Sequence, residues 1–177
     1  MECTLAFRIP GWCNDFRIIP SSSADVTMTE KDGYVYLTGL WKDGDCIDLD
    51  FLMEVHMLAS DTRVREDIGK VAFTRGPITF CMEEADNGRN LHLCRVDKSR
   101  IQVGDKWNVS VERSKELGHT MAVLKVPGLR QEESPMQQEN LYTEYRPMKE
   151  TQTELTLVPY YAWNNRGEGE MSVWIRI

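Results

Sequence analysis

Three carboxylates crowd one short stretch of this 177-residue chain: Glu83, Glu84 and Asp86. Paired carboxylates are the chemistry of glycoside hydrolysis, which needs them about 5 Å apart to retain anomeric configuration and about 6.5–9.5 Å apart to invert it. Here they follow the apolar run Ile78 to Met82, which reads as a strand. Successive strand side chains point to opposite faces, so Glu83 and Glu84 are poorly placed to share a substrate. The expectation is a loop-capping or solvated role, and no residue is assigned as catalytic. His56, His92 and His119 stand far apart, and Cys3, Cys13, Cys46, Cys81 and Cys94 contain no CxxC pair. That spacing makes neither a zinc knuckle nor a disulfide framework, so no metal ligand is assigned and the redox compartment stays open. No GxSxG nucleophile elbow occurs, and Gly104, Gly118 and Gly128 are isolated turn glycines rather than a phosphate-cradling loop, so no cofactor-binding residue is assigned.

A second group has a different chemistry. Tyr160, Tyr161 and Trp163 are followed by Asn164, Asn165 and Arg166. Sugars stack their C–H faces on aromatic rings while amide and guanidinium groups read their hydroxyls. Tyr160, Tyr161, Trp163, Asn165 and Arg166 are therefore candidate carbohydrate or interdomain contacts. The competing reading is structural: aromatic residues near strand ends usually fill the core, which would bury Tyr160 and Trp163 and make residues 164–167 a plain turn. The structural reading is the favoured one.

The elements that position these groups follow a period of two. Leu5, Phe7 and Ile9 alternate with Thr4, Ala6 and Arg8, and Ile47, Leu49 and Phe51 alternate with Asp48 and Asp50. Lys31-Asp32-Gly33 and Arg75-Gly76-Pro77 are turn sequences between such runs. Further strands are expected at Val55–Leu58, Val71–Thr74, Leu91–Val96, Trp107–Val111, Met121–Val126, Glu154–Pro159 and Met171–Ile177. Residues 130–151, rich in Gln, Glu, Ser and Pro, read as a long loop. Only Val111 to Leu117 could make a turn or two of helix. Short strands at such spacing mean an all-β antiparallel sandwich, jelly-roll or immunoglobulin-like, in one or two packed units with little helix. The polar stretch from Asp61 to Gly69 suggests two units, a partial first sandwich at 1–58 and a second at 59–177. The apolar fraction of 41% suits a folded chain, and no apolar run is long enough to span a bilayer as a helix. A net charge of −7 argues against nucleic acid and anionic membrane as partners. The first ten residues carry Glu2 and Arg8 and read as a strand rather than a signal peptide, so any export signal is expected upstream.

Four stretches in their order resemble one family. They are Leu5-Ala6-Phe7-Arg8-Ile9-Pro10-Gly11-Trp12; Gly33-Tyr34-Val35-Tyr36 with Trp41 and Gly44-Asp45; Gly69 to Ile78 running into Cys81-Met82-Glu83 and Asp86-Asn87; and Leu157 to Gly167 with Glu170 to Arg176. Together they resemble the tail of the β-L-arabinofuranosidase family GH127, once called DUF1680. The resemblance implies a parent glycoside hydrolase with an (α/α)₆ barrel followed by β-sandwiches, in which a cysteine nucleophile, glutamates and a zinc ion all lie in the barrel. No family catalytic position then falls on this chain, and the fragment itself is expected not to be an enzyme. It would be an accessory region serving its own catalytic barrel or a homodimer. The rival reading is an autonomous carbohydrate-binding, lectin-like module; an immunoglobulin-like adhesion module is a weaker third.

Overall fold

Asp32 and Gly33 both take positive φ, 54° and 75°, the backbone of a two-residue hairpin whose twist matches its flanking strands. That hairpin belongs to a computed structural model describing residues 2–21, 25–101, 107–114, 118–133 and 140–177. The chain divides into two compact units, Met1–Glu54 and Val55–Ile177.

The first unit holds β1 (Glu2–Arg8), β2 (Phe16–Pro20), β3 (Val26–Lys31), β4 (Tyr34–Leu40) and β5 (Ile47–Phe51). They form a three-stranded sheet, β1-β4-β3, and a two-stranded sheet, β2-β5. The core is Ile18, Val35 and Leu37, with Phe7, Ile9, Phe16, Val26, Trp41 and Ile47 packed against it. Alternation along β1 and β5 is as the sequence implies. β2 was not anticipated, because the adjacent pair Ile18-Ile19 and the terminal Pro20 blur its period.

The second unit holds β6 (Val55–Ala59), β7 (Lys70–Arg75), β8 (Ile78–Glu83), a single helical turn α1 (Glu84–Asn87), β9 (Cys94–Val96), β10 (Asn108–Arg113), β11 (Thr120–Gln131), β12 (Glu150–Pro159), β13 (Met171–Ser172) and β14 (Ile175–Arg176). Val55 to Ala59 pair along β7, so residues 55–58 join this unit rather than the first. One edge of β7 is shared. Its end at Thr74 and Arg75 pairs with β8, across a turn in which Gly76 takes φ 56°, and its start at Lys70 and Val71 pairs with β14. The path β8-β12-β11-β9-β14 therefore returns to β7 and closes a ring of strands, antiparallel throughout except where β14 meets β9. The all-β, antiparallel reading holds.

Several local expectations shift. Leu91–Leu93 is a 3₁₀ turn, and only Cys94–Val96 of that run is strand. Val111 to Arg113 continue β10 and pair with β11, where a helical turn was allowed; residues 115–117 lie outside the described residues. The expected loop is shorter than 130–151, because Arg130 pairs with Thr151 and Gln131 with Glu150; residues 134–139 lie outside the described residues.

Two cores explain the burial. The ring encloses Val71, Phe73, Phe80, Met82, Val96, Leu124, Val126, Leu155, Leu157 and Ile175. Residues of opposite parity on β8, β11 and β12 form a second cluster, Cys81, Met121, Val123 and Val158, with Ala162. Where they meet, at Phe80–Met82, Met121–Leu124 and Leu157–Val158, these three strands are apolar on both faces.

Arg95 on β9 forks Glu150 on β12, with Nε and a terminal nitrogen donating at 2.7 and 2.6 Å. Those hydrogen bonds hold the Glu150 carboxyl below its usual range. A depressed folded pKa contributes stability above the unfolded carboxylate pKa and loses it as pH falls through the folded value. Glu150→Gln should therefore be less stable than wild type near neutrality, and the gap should close below about pH 4. Urea midpoints across that range check it.

Candidate functional site

β12 ends at Pro159, whose side chain is buried, and the chain turns through a 3₁₀ segment, Tyr160–Ala162. Only Ala162 points inward, fully buried in the second core. Tyr160, Tyr161 and Trp163 point out, at 46%, 52% and 38% exposure. The expectation that Tyr160 and Trp163 fill the core is overturned: the core position in this turn is alanine-sized, and the strands beneath already bury both faces. Tyr160 and Trp163 lie 5.8 Å apart with planes tilted by 37°, and Tyr161 stands 6.3 Å from the His119 ring. Trp163→Ala should then cost about 0.5–1.5 kcal/mol, the worth of its contact with the Tyr160 ring, against the about 3–5 kcal/mol a core tryptophan would cost. Chemical denaturation distinguishes the two.

The turn is held from below by charge. Asn164 takes φ 62°, in the left-handed region, and its backbone N–H donates to Glu83 Oε1 at 3.0 Å. Arg166 donates from Nε to Glu83 Oε2 at 3.0 Å, and a terminal nitrogen also contacts that oxygen. The same guanidinium forks Asp86, at 2.9 and 2.6 Å. Glu83 is only 5% exposed. A buried carboxylate needs a partner and hydrogen bonds for its remaining lone pairs, and here it has both. Burial works against charge on Arg166, but the hydrogen bonds to Asp86 and Glu83 outweigh it and hold its pKa above the ordinary arginine value. Beside them Cys81 is a protonated thiol: burial, with the Glu83 charge next in weight, pushes it up to about 12. A thiol so held is no nucleophile.

Neighbouring groups extend the network. Asn87 donates to the carbonyls of Glu83 and Thr156 and accepts from the Thr156 N–H, tying α1 to β12. Glu84 accepts from the Glu170 N–H, while Glu170 accepts from the N–H groups of Asn90 and Leu91. Glu83 and Asp86 thus share the Arg166 guanidinium, while Glu84 is tied to the Glu170 backbone. Among the described residues no three His, Cys, Asp or Glu side chains lie close enough to hold a metal ion.

Of the five candidate contacts, Tyr160, Tyr161 and Trp163 share one exposed turn. Asn165 sits beside them, but its amide donates to the carbonyls of Ala162 and Trp163. Arg166 lies underneath, with its guanidinium on Glu83 and Asp86 rather than on an outside hydroxyl. The Glu83–Arg166 pair was missed by sequence reasoning. The available signal was an acidic residue closing an apolar strand, a position that needs a cation from elsewhere in the chain.

Residues 55–176 match the glycoside hydrolase family 127 C-terminal domain, and residues 1–53 match the β-L-arabinofuranosidase GH127 middle domain. The chain is 31% identical over 170 residues to a non-reducing end β-L-arabinofuranosidase of Bifidobacterium longum, covering 96% of this chain and 25% of that protein. It superposes on a GH127 β-L-arabinofuranosidase from Geobacillus stearothermophilus T6 with a TM-score of 0.79 at 33% identity, covering 99% of this chain and 26% of the other. A second solved GH127 β-arabinofuranosidase gives 0.76 at 27% identity, covering 100% of this chain and 28% of that one. The chain spans about a quarter of the length of these relatives. On the match over residues 55–176, the chain belongs to glycoside hydrolase family 127.

Proposed function

We propose that this region is a non-catalytic accessory part of a GH127 enzyme acting on arabinofuranose-containing glycans, and that its turn at Tyr160, Tyr161 and Trp163 rests against the catalytic barrel of the parent. The observation that carries this reading is an exposed aromatic turn made rigid by a buried ion pair. A surface held in one conformation suits a fixed protein neighbour, because little ordering entropy remains to be lost on contact. The named activity of the Bifidobacterium relative and the quarter-length coverage support placing the chemistry elsewhere in the parent; a zinc ion there is part of the same proposal. A homodimer contact through the same surface is the variant of this reading.

The alternative is a carbohydrate-binding module, favoured by the Tyr160–Trp163 pair. It is the weaker reading, because Asn165 and Arg166, the groups that would read hydroxyls, are bonded internally. The test is an assay of the purified chain on an aryl β-L-arabinofuranoside with and without zinc, together with calorimetric titration of arabino-oligosaccharides. The expected result is neither turnover nor binding. Turnover above the blank would overturn the accessory reading, and saturable sugar binding lost in Trp163→Ala would replace it with the module.

A further inference from the structure

The backbone pairing of β8 with β12 stops at Met82↔Leu157, one step short of Glu83 and Thr156. A side chain makes the next rung. Asn87, at the end of α1, accepts from the Thr156 N–H with Oδ1 at 2.9 Å and donates from Nδ2 to the Thr156 carbonyl at 2.8 Å. The same Nδ2 donates to the Glu83 carbonyl at 3.0 Å. The Asn87 amide thus stands in for a strand residue, with its donors and its acceptor all engaged. The backbone beside it is also tied. The Gly88 N–H donates to the Glu84 carbonyl at 2.8 Å, and Arg130 donates to the Asn87 carbonyl at 2.9 Å.

Asn87-Gly88 is the one Asn-Gly step in the sequence. In an open chain such a step is chemically unstable, because glycine has no side chain to shield its backbone nitrogen or restrict its approach. The Gly88 nitrogen attacks Cγ of Asn87, the Cγ–Nδ2 bond breaks, and Nδ2 leaves as ammonia with the proton that Gly88 gives up. Water then opens the cyclic imide at either carbonyl, yielding aspartate or isoaspartate with no change of oxidation state. In the folded chain the attacking nitrogen has its hydrogen on Glu84, and the leaving amide is held by three hydrogen bonds.

We propose that Asn87-Gly88 is a conditional self-modification site, unreactive while α1 is docked on β12, reactive when α1 opens, and a block to docking once converted. The product has no Nδ2. A carboxylate oxygen would meet the carbonyl oxygens of Glu83 and Thr156, acceptor against acceptor. A fourth negative charge would also join Glu83, Glu84 and Asp86, where the neighbouring cations are already engaged. Arg166 holds Glu83 and Asp86, Arg89 holds Glu84, and Arg130 bonds the Asn87 and Arg89 carbonyls and pairs with Glu133. Isoaspartate adds a backbone carbon as well, which displaces Gly88 from Glu84. Opening of this corner of the second unit thereby becomes irreversible.

Peptide mapping by mass spectrometry tests this on the intact chain, incubated in parallel at mildly alkaline pH, folded in buffer or unfolded in guanidinium chloride. In the unfolded chain Asn87 should show the amide-to-acid mass change sooner than any other asparagine, and in the folded chain about a hundredfold or more slowly. After dilution of the denaturant and size-exclusion chromatography, refolded monomer should be depleted of converted Asn87 and the aggregated fraction enriched in it. Asn87→Asp, which carries the product side chain from the start, should have a urea midpoint below wild type or fail to fold. Equal conversion rates in the folded and unfolded chain would overturn the proposal. So would converted chains that refold in proportion to their abundance, or a wild-type midpoint for Asn87→Asp.

Discussion

Arg166→Ala should lower the unfolding free energy by about 3–5 kcal/mol, the cost of leaving a buried carboxylate without its cation. Glu83 is 5% exposed and receives two of the guanidinium contacts, and Asp86 takes the other fork. Removing the guanidinium strands Glu83 beneath a turn that, among the described residues, still bonds it through the Asn164 N–H. Domains of this size have about 5–15 kcal/mol in total, so the variant would stand close to unfolding at ambient temperature. Arg166→Lys should recover only part of the loss, since an ammonium cannot fork Asp86 while bonding Glu83. Urea denaturation with unchanged m-value is the measurement. A loss below about 1 kcal/mol would mean that water replaces the guanidinium at Glu83.

Phe73→Ala should cost about 3–5 kcal/mol by a different route, through lost burial and the cavity left behind. Phe73 is fully buried inside the ring and meets Trp107 edge-on, with centroids 5.2 Å apart at 79°. Rings in that geometry gain about 0.5–1.5 kcal/mol beyond burial. The side chains around it sit on strands fixed by the closed ladder, so the site collapses little to fill the void. Val111→Ala, at a position 73% exposed on β10, serves as the control and should shift the midpoint little.

The elements read correctly from sequence are those whose signal is local. β5 alternates because only one of its faces is covered, and the turns at Asp32-Gly33 and Gly76-Pro77 are written in two residues each. The elements read incorrectly depend on partners distant in the chain. Val55 to Ala59 reads as the same short strand whichever unit it joins, and only pairing with β7 assigns it. Tyr160 and Trp163 read as core because aromatic residues near strand ends usually are, whereas the second core takes only Ala162 from this turn. Glu83 and Arg166 are 83 positions apart, so neither residue alone discloses the pair. The family resemblance rested on residues from both sides of that pair, Cys81-Met82-Glu83 with Asp86-Asn87 and the segment ending in Arg166. In the structure these two motifs are bonded to each other through Arg166, Glu83 and Asp86.

The divided edge of β7 also sets an order of events during folding. Its pairing with β8 joins Thr74 to Thr79, five positions on, whereas its pairing with β14 joins Val71 to Ile175, 104 positions on. Loop-closure entropy grows with the logarithm of that separation, so the second seam costs roughly 2.5 kcal/mol more to close than the first. The hairpin can zip while the chain is otherwise open. The ring is sealed only after β9, β11 and β12 are in place to present β14 beside Val71 and Lys70. A two-residue strand, Ile175–Arg176, thus closes the seam of the ring that carries the larger entropic cost.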